Sequence, residues 1–336
     1  MGKLIVNCLP LTGAERRKFV EAVDAAAESS GAIDVCQEFV DDHGQRGSMR
    51  WRASVPDHLR AQATAVIGNI APVECAPGVM PRLEWLQTWS AGVDRYLEPG
   101  VLGDGVRVTS ASGAYGHAVS EHLFAMMWAL MKNLPGYARQ QTQTDGPRWH
   151  DLGRVQSPAD ATVLVVGTGD IGSHFARLCK AVGARTVGVR RDPGKPAEGV
   201  DEMHGFADLD VLLPRADVVA LAVPEAPDTD HLIDARRLAL MNPTALLLNA
   251  GRGPLVKADA LAEALAAGRL RGAGLDVTDP EPLPEDSPLW TEPRCLITPH
   301  VAGGNHLEET EARIIGIALE NVRRYVAGEP LRNVRR

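Results

Sequence analysis

No uncharged apolar run in this sequence approaches the ~20 residues that span a bilayer; the longest, Leu123 to Met131, has nine. The opening MGKLIVNCLPLTGAERR has an apolar segment too short for a secretory h-region. Val6 spoils the N-myristoylation pattern that Met1-Gly2 would begin. These absences lead to the expectation of a cytoplasmic protein with no membrane partner. Basic charge is also in deficit, with 35 Lys and Arg against 43 Asp and Glu and a net charge of −8. That balance opposes non-specific binding to nucleic acid or anionic membranes, so no nucleic-acid partner is expected, and any anionic ligand must be met by local cations. Five scattered cysteines (Cys8, Cys36, Cys75, Cys179, Cys295) show no metal-ligand spacing, and their odd number argues against a disulfide framework. They read as buried thiols, with no metal. Internal repeats and low-complexity tracts are lacking as well.

What is present is alternation. A chain of 336 residues, against a prior of about 100–200 residues per domain, suggests two domains. In the first third, Lys3–Cys8, Ile33–Phe39, Ala65–Ile70, Leu83–Trp89 and Val106–Ser110 read as strands. Glu15–Ala27 carries helical spacing at Phe19, Val20, Val23 and Ala26. Trp85 and Trp89 share a strand face and are assigned to core first, with a pocket role as the alternative. His117 to Met131 is a dense apolar helix, suited to core or to a dimer face, and Leu134-Pro-Gly136 is expected to break it into a loop that runs to Pro158. A second alternation follows, with strands at Thr162–Val166, Thr186–Val189, Asp217–Val223, Ala245–Asn249, Gly272–Val277 and Leu296–Thr298. The pattern predicts an α/β protein with doubly wound parallel sheets. A last helix, about Leu307 to Val326, lies beyond the final strand and is free to return to the first unit.

After the strand ATVLVV comes Gly167-Thr-Gly-Asp-Ile-Gly172, and then Ser173–Val182 with helical character. Strand, glycine turn and helix together form the context a dinucleotide fingerprint requires. Gly167 makes the tight turn, Gly169 lets backbone approach a pyrophosphate, and Gly172 permits close helix–strand packing, while the helix start at Asp170 and Ile171 offers N–H donors. The bland alternative is a glycine turn without a ligand. Asp170 is awkward beside a pyrophosphate, though favourable to the helix dipole. Further on, three polar residues follow apolar strands: Arg252 in Asn249-Ala-Gly-Arg-Gly-Pro254, Glu281 in a proline-bounded loop, and His300 in Thr-Pro-His-Val. Carboxyl ends of strands are where open α/β sheets bind ligands.

Taken with TWSAGVD and the SEHLFAMMWALMKN helix upstream, the glycine loop, NAGRGPLVKADAL, GAGLDVTDPEPLP and TPHVAG stand in the order found in the D-isomer-specific 2-hydroxyacid dehydrogenase family, which the chain resembles over nearly its whole length. The resemblance implies two Rossmann-like domains, with a dinucleotide-binding domain at residues 114–301 inserted into a flavodoxin-like substrate domain formed by residues 1–113 and 302–336. It implies that Arg252 binds the substrate's carboxylate and carbonyl oxygen, a task suited to a planar guanidinium. His300 is then the acid–base and Glu281 its orienting partner. Asp276 contacts the nicotinamide carboxamide, and the backbone amides of Ala91 and Gly92 hold the substrate carboxylate. Family members usually pair through the region of the long helix, so a homodimer is expected.

Among family groups, PRLEWLQTWSAGVD and PLPEDSPLW look most like glyoxylate/hydroxypyruvate reductases, which act on small 2-keto and 2-hydroxy acids. Two rivals stand beside that reading: a non-catalytic dinucleotide sensor, and a formate or phosphite oxidoreductase of the same superfamily. Formate enzymes carry Gln where Glu281 stands. The cofactor expectation comes from RTVGVRRDPG. In a dinucleotide fold the end of the second strand lies beside the adenosine ribose, and an acid there accepts hydrogen bonds from the 2′-hydroxyl. NAD-using relatives commonly end that strand in Gly-Tyr-Asp-Pro, whereas here Arg190 stands at the acid's position, followed by Arg191. Arginines there suit a 2′-phosphate, so NADPH is expected in preference to NADH, with NAD as the alternative. A solvated basic turn is the bland reading, and Asp192 is close enough to neutralise a neighbour.

Overall fold

The structure, a computed structural model, describes residues 2–32, 34–40, 53–142, 149–303 and 307–336. It divides into two compact units: Met1–Tyr115 with Gly304–Arg336, and Gly116–Gly303. The first contains β1 (Lys3–Asn7), α1 (Gly13–Ser30), β2 (Val35–Phe39), α2 (Asp57–Arg60), β3 (Ala65–Ile67), β4 (Trp85–Gln87), α3 (Asp94–Leu97) and β5 (Arg107–Thr109). All pairings are parallel and the strand order is β2-β1-β3-β4-β5, the flavodoxin-like arrangement. Ile33, the expected first residue of the second strand, lies outside the described residues. All five strands are shorter than the runs that marked them. Trp89 therefore falls beyond β4, yet both tryptophans are buried, and Trp85 Nε1 donates to Thr109 Oγ1 at 2.8 Å.

The second unit opens with α4 (Gly116–Met131) and α5 (Leu134–Thr142). The long helix does break, ending at Met131, but the expected loop needs correction, because Leu134-Pro-Gly136 starts a second helix. Asn133 takes φ +54 and ends α4, and Tyr137 N–H then donates to the Asn133 carbonyl at 3.1 Å. Pro135 falls in the first turn of the new helix, where an N–H has no intrahelical acceptor and proline costs nothing. Residues 143–148 of the expected loop lie outside the described residues. The remaining elements are β6 (Thr162–Val166), α6 (Asp170–Ala181), β7 (Arg185–Val189), β8 (Glu202–His204), α7 (Leu209–Leu212), β9 (Val218–Leu221), α8 (Ala235–Leu240), β10 (Leu246–Asn249), α9 (Ala258–Ala266), β11 (Gly272–Leu275) and β12 (Cys295–Ile297). They form a seven-stranded parallel sheet, β12-β11-β10-β9-β6-β7-β8, whose order reverses between β6 and β9. The strand β8, with its sequence Glu-Met-His, has no apolar pattern and was not anticipated.

The runs Val163 to Val166, Val218 to Leu221 and Leu246 to Leu248 are buried throughout, as strands covered on both faces must be. The helix α4 packs on α6 and on β10 and β11. Glycine in β11 permits this: a Cβ on Gly274 would stand 3.3 Å from Met126 Cβ, so α4 lies directly on the strand. In the first unit the last helix, α10 (Glu308–Ala327), packs on α1, and the chain beyond it runs antiparallel to β5. Buried Asn321 of α10 donates to Gln87 Oε1 at 2.7 Å and accepts from Arg332 N–H at 2.8 Å. Of the cysteines, Cys8, Cys75 and Cys179 are buried and Cys36 is exposed. Among the described residues no helix is long and apolar enough to cross a membrane.

Asp201 fastens the edge of the larger sheet. Lys180 of α6 and the Thr186 N–H both donate to its carboxylate and hold its pKa at about 2, below the usual range. A depressed folded-state pKa contributes stability above the unfolded value of about 4 and loses it as pH falls toward the folded one. Asp201→Asn should therefore lower the urea midpoint modestly at pH 7, with the gap to wild type narrowing below about pH 4. A gap independent of pH would show that the charge of Asp201 does not supply the stability.

Candidate active site

The glycine loop sits where β6 gives way to α6, beside the strand-order reversal. Gly167 has φ +96, and a Cβ there would meet the Ala222 carbonyl oxygen at 2.6 Å. A Cβ on Gly172 would come within 1.9 Å of the Gly167 carbonyl oxygen, so the turn closes only without side chains at both positions. Gly169 differs, since a Cβ there meets nothing within 4 Å. Backbone is thus exposed to open space at the start of a twelve-residue helix, whose first N–H groups lack intrahelical acceptors. That geometry fits a dinucleotide's pyrophosphate, with Gly169, Asp170, Ile171 and Gly172 supplying backbone donors. The Asp170 carboxyl is turned to α4: Oδ1 lies 3.6 Å from His174 Nδ1 and at the position a Gly116 side chain would need.

At the end of β7, Arg190 and Arg191 have different surroundings. Arg191 donates twice to Asp228, at 2.9 and 3.1 Å, and Asp192 pairs with Lys195 at 3.2 Å. Arg190 donates to the Lys195 carbonyl at 3.3 Å and has no carboxylate partner among the described residues. Asp228, on the loop after β9, escaped sequence reasoning because it lies 37 residues away and belongs to no motif.

Arg252 follows β10, half-buried, with Nη1 donating to the Gly251 carbonyl at 2.8 Å, and its own carbonyl accepts from Asn249 Nδ2 at 2.8 Å. Gly253 lies against the next strand's loop, since a Cβ would meet the Thr278 carbonyl oxygen at 1.9 Å. Beyond β11 and β12, His300 Nδ1 and Glu281 Oε1 stand 2.7 Å apart, each side chain about half exposed. His300 has φ +53, a left-handed conformation costing about 1–3 kcal/mol for a non-glycine residue, so surrounding contacts must impose it.

Asp276 supplies them. It is 3% exposed, and Oδ1 accepts from Thr298 Oγ1 at 2.7 Å and Val301 N–H at 2.8 Å, while Oδ2 accepts from Ala302 N–H at 3.0 Å. The Asp276 carbonyl accepts from His300 N–H at 2.8 Å. His122 of α4 completes the set, with Nε2 3.0 Å from Thr298 Oγ1. Neither Thr298 nor His122 was singled out from sequence, although both lie inside quoted segments, because nothing in a motif shows which side chains meet. In the other unit, Ala91 and Gly92 lie on the loop after β4, where Ser90 Oγ donates to the Gly92 carbonyl at 2.7 Å. Among the described residues no group of His, Cys, Asp and Glu is arranged to hold a metal ion.

Residues 124–302 match the family model described as D-isomer specific 2-hydroxyacid dehydrogenase, NAD binding domain. A glycerate dehydrogenase of Methylorubrum extorquens is 30% identical over 283 residues, 82% of this chain and 86% of that protein. Among solved structures, a D-isomer specific 2-hydroxyacid dehydrogenase family protein of Aeromonas salmonicida has a TM-score of 0.77 at 27% identity, covering 99% of both chains. A D-isomer specific 2-hydroxyacid dehydrogenase of Xanthobacter autotrophicus, in complex with NADPH and MES, has a TM-score of 0.74 at 29% identity, covering 99% of this chain and 97% of its own. The chain therefore belongs to the D-isomer-specific 2-hydroxyacid dehydrogenase family and is an NAD(P)-dependent oxidoreductase acting on CH–OH donors.

Proposed function

We propose that the enzyme reduces small 2-keto acids of the glyoxylate and hydroxypyruvate type to D-2-hydroxy acids with NADPH as the preferred cofactor. The 2.7 Å pairing of His300 Nδ1 with Glu281 carries this reading, because it leaves Nε2 as the ring nitrogen free to exchange a proton with substrate. The bound dinucleotide supplies the hydride. In reduction His300 Nε2 gives its proton to the substrate's carbonyl oxygen, while Glu281 orients the ring through Nδ1. Arg252, at the same sheet edge, binds the substrate's carboxylate and carbonyl oxygen as a planar fork. Ala91 and Gly92 are assigned backbone contacts to that carboxylate. Asp276 retains a lone pair on Oδ2 for the nicotinamide carboxamide. The glycerate dehydrogenase relative supports the substrate class, since oxidation of glycerate at C2 yields hydroxypyruvate.

Arg190 supports the cofactor preference. With Arg191 occupied by Asp228 and Asp192 by Lys195, Arg190 is the cation left to meet a 2′-phosphate. Residues 1–113 and 302–336 are read as the substrate domain and residues 114–301 as the dinucleotide domain, in a cytoplasmic homodimer. The exposed Leu134 and Trp149 suit a partner copy, and light scattering on the purified protein tests that state.

His300→Ala should lower turnover by about 10²–10⁴ with little change in dinucleotide affinity, because the proton donor is lost and the glycine loop is untouched. A near-normal rate would remove His300 from the mechanism. Glu281→Gln should reduce kcat more than KM, since the amide can flip to face Nδ1 with either its oxygen or its NH2 and so orients the proton donor less well than a carboxylate, which only accepts. Steady-state assays with both reduced cofactors should show NADPH favoured by about tenfold or more, the worth of one surviving charge-assisted bond. Arg190→Asp should reverse that order; equal kcat/KM for both cofactors in the unmodified enzyme would show that Arg190 serves another purpose.

A further inference from the structure

We propose that His122 is a positioning residue for the reaction, acting through Thr298 and Asp276 on the loop that carries His300. The inference rests on the acid–base role proposed for His300, but its structural premise stands alone. Thr298 has one hydroxyl hydrogen, and the 2.7 Å contact to Asp276 Oδ1 claims it, because a carboxylate oxygen cannot donate. The Thr298 oxygen is then an acceptor toward His122, so Nε2 of His122 carries a hydrogen and donates across 3.0 Å. The reverse polarity would leave two acceptors facing each other 2.7 Å apart in a buried place. A directed chain results: His122 Nε2–H to Thr298 Oγ1, and Thr298 O–H to Asp276 Oδ1.

Asp276 is where that chain acts. The carboxylate that accepts from Thr298 also accepts from Val301 and Ala302 N–H, the two residues immediately after His300. The loop is thus tied on both sides of a residue whose φ of +53 it would not hold by itself. His122 anchors this arrangement to a rigid body rather than to another loop. It stands on α4, one turn before Met126, and Met126 lies on Gly274 of β11, the strand that ends beside Asp276. The helix, the strand and the loop are therefore held at one register by an apolar contact and a hydrogen-bonded one. Loss of the donor would let the Thr298 hydroxyl rotate away and loosen the grip of Asp276 on the loop. A small misplacement of the proton donor is enough to slow a reaction that depends on near-attack geometry.

The test uses the full-length enzyme with four variants: His122→Leu, which removes the donor; His122→Gln, which keeps an N–H at similar reach; Thr298→Val, which removes the hydroxyl at constant shape; and the Leu/Val double variant. Two readouts are taken, steady-state kinetics with hydroxypyruvate and hydrogen exchange of the Thr298, His300, Val301 and Ala302 amides in the free protein. His122→Leu and Thr298→Val should each lower kcat by about tenfold to a hundredfold. The double variant should fall no further than the worse single one, and His122→Gln should recover most of the rate. Exchange at Val301 and Ala302 should quicken in the Leu and Val variants and not in the Gln variant. Additive losses, no rescue by Gln, or wild-type exchange in His122→Leu would each overturn the proposal. Absence of hydroxypyruvate turnover in the unmodified enzyme would instead count against the proposed function, and the exchange readout would still decide the role of His122.

Discussion

One buried carboxylate holds the loop that bears His300 in its conformation. Asp276 sits at the carboxyl end of β11 with almost no exposure, so its oxygens must find donors within the protein or carry a desolvation cost of several kcal/mol. The donors it finds are Thr298 Oγ1, Val301 N–H and Ala302 N–H. Hydrogen bonds to a charged acceptor are each worth about 1.5–3 kcal/mol net, enough together to offset the left-handed backbone at His300. The orientation in which His300 faces Glu281 is thereby set before any ligand arrives.

The same sheet edge gathers everything else of chemical interest in the larger unit. Parallel strands point their carboxyl ends one way, so the turn after β6, the arginine after β10, the carboxylate after β11 and the histidine after β12 emerge on one side without any local instruction to do so. The close packing behind that edge depends on missing side chains. Gly172 lies against the Gly167 carbonyl, Gly253 against the Thr278 carbonyl, and Gly274 beneath Met126. Of the glycines in the phosphate-type loop, Gly169 alone faces open space, which separates a glycine required for packing from one that leaves room for a ligand.

The end of β7 shows how neighbours edit what a motif offers. Two adjacent arginines read as a doubled cation, but the fold delivers Asp228 to one of them from a loop after a different strand. An exposed ion pair of this kind adds little stability. Its consequence is chemical, because it engages one guanidinium and leaves the other, Arg190, with a carbonyl contact and no carboxylate among the described residues.

By itself the sequence determined whatever depends on short-range pattern: buried parallel strands from unbroken apolar runs such as Val163 to Val166, the glycine turn before α6, and the family order of Arg252, Glu281 and His300. It failed where context outweighed local preference. Leu134-Pro-Gly136 correctly marks the end of α4, but not the helix that starts there, since proline is tolerated in a first helical turn and the left-handed Asn133 creates that turn. Glu202-Met-His204 has no strand pattern, and pairing with β7 makes it one. The meetings of His122 with Thr298, of Thr298 with Asp276, and of Arg191 with Asp228 were decided by tertiary structure alone, because side chains 176, 22 and 37 residues apart come into hydrogen-bonding range only when separate strands and helices are set in register.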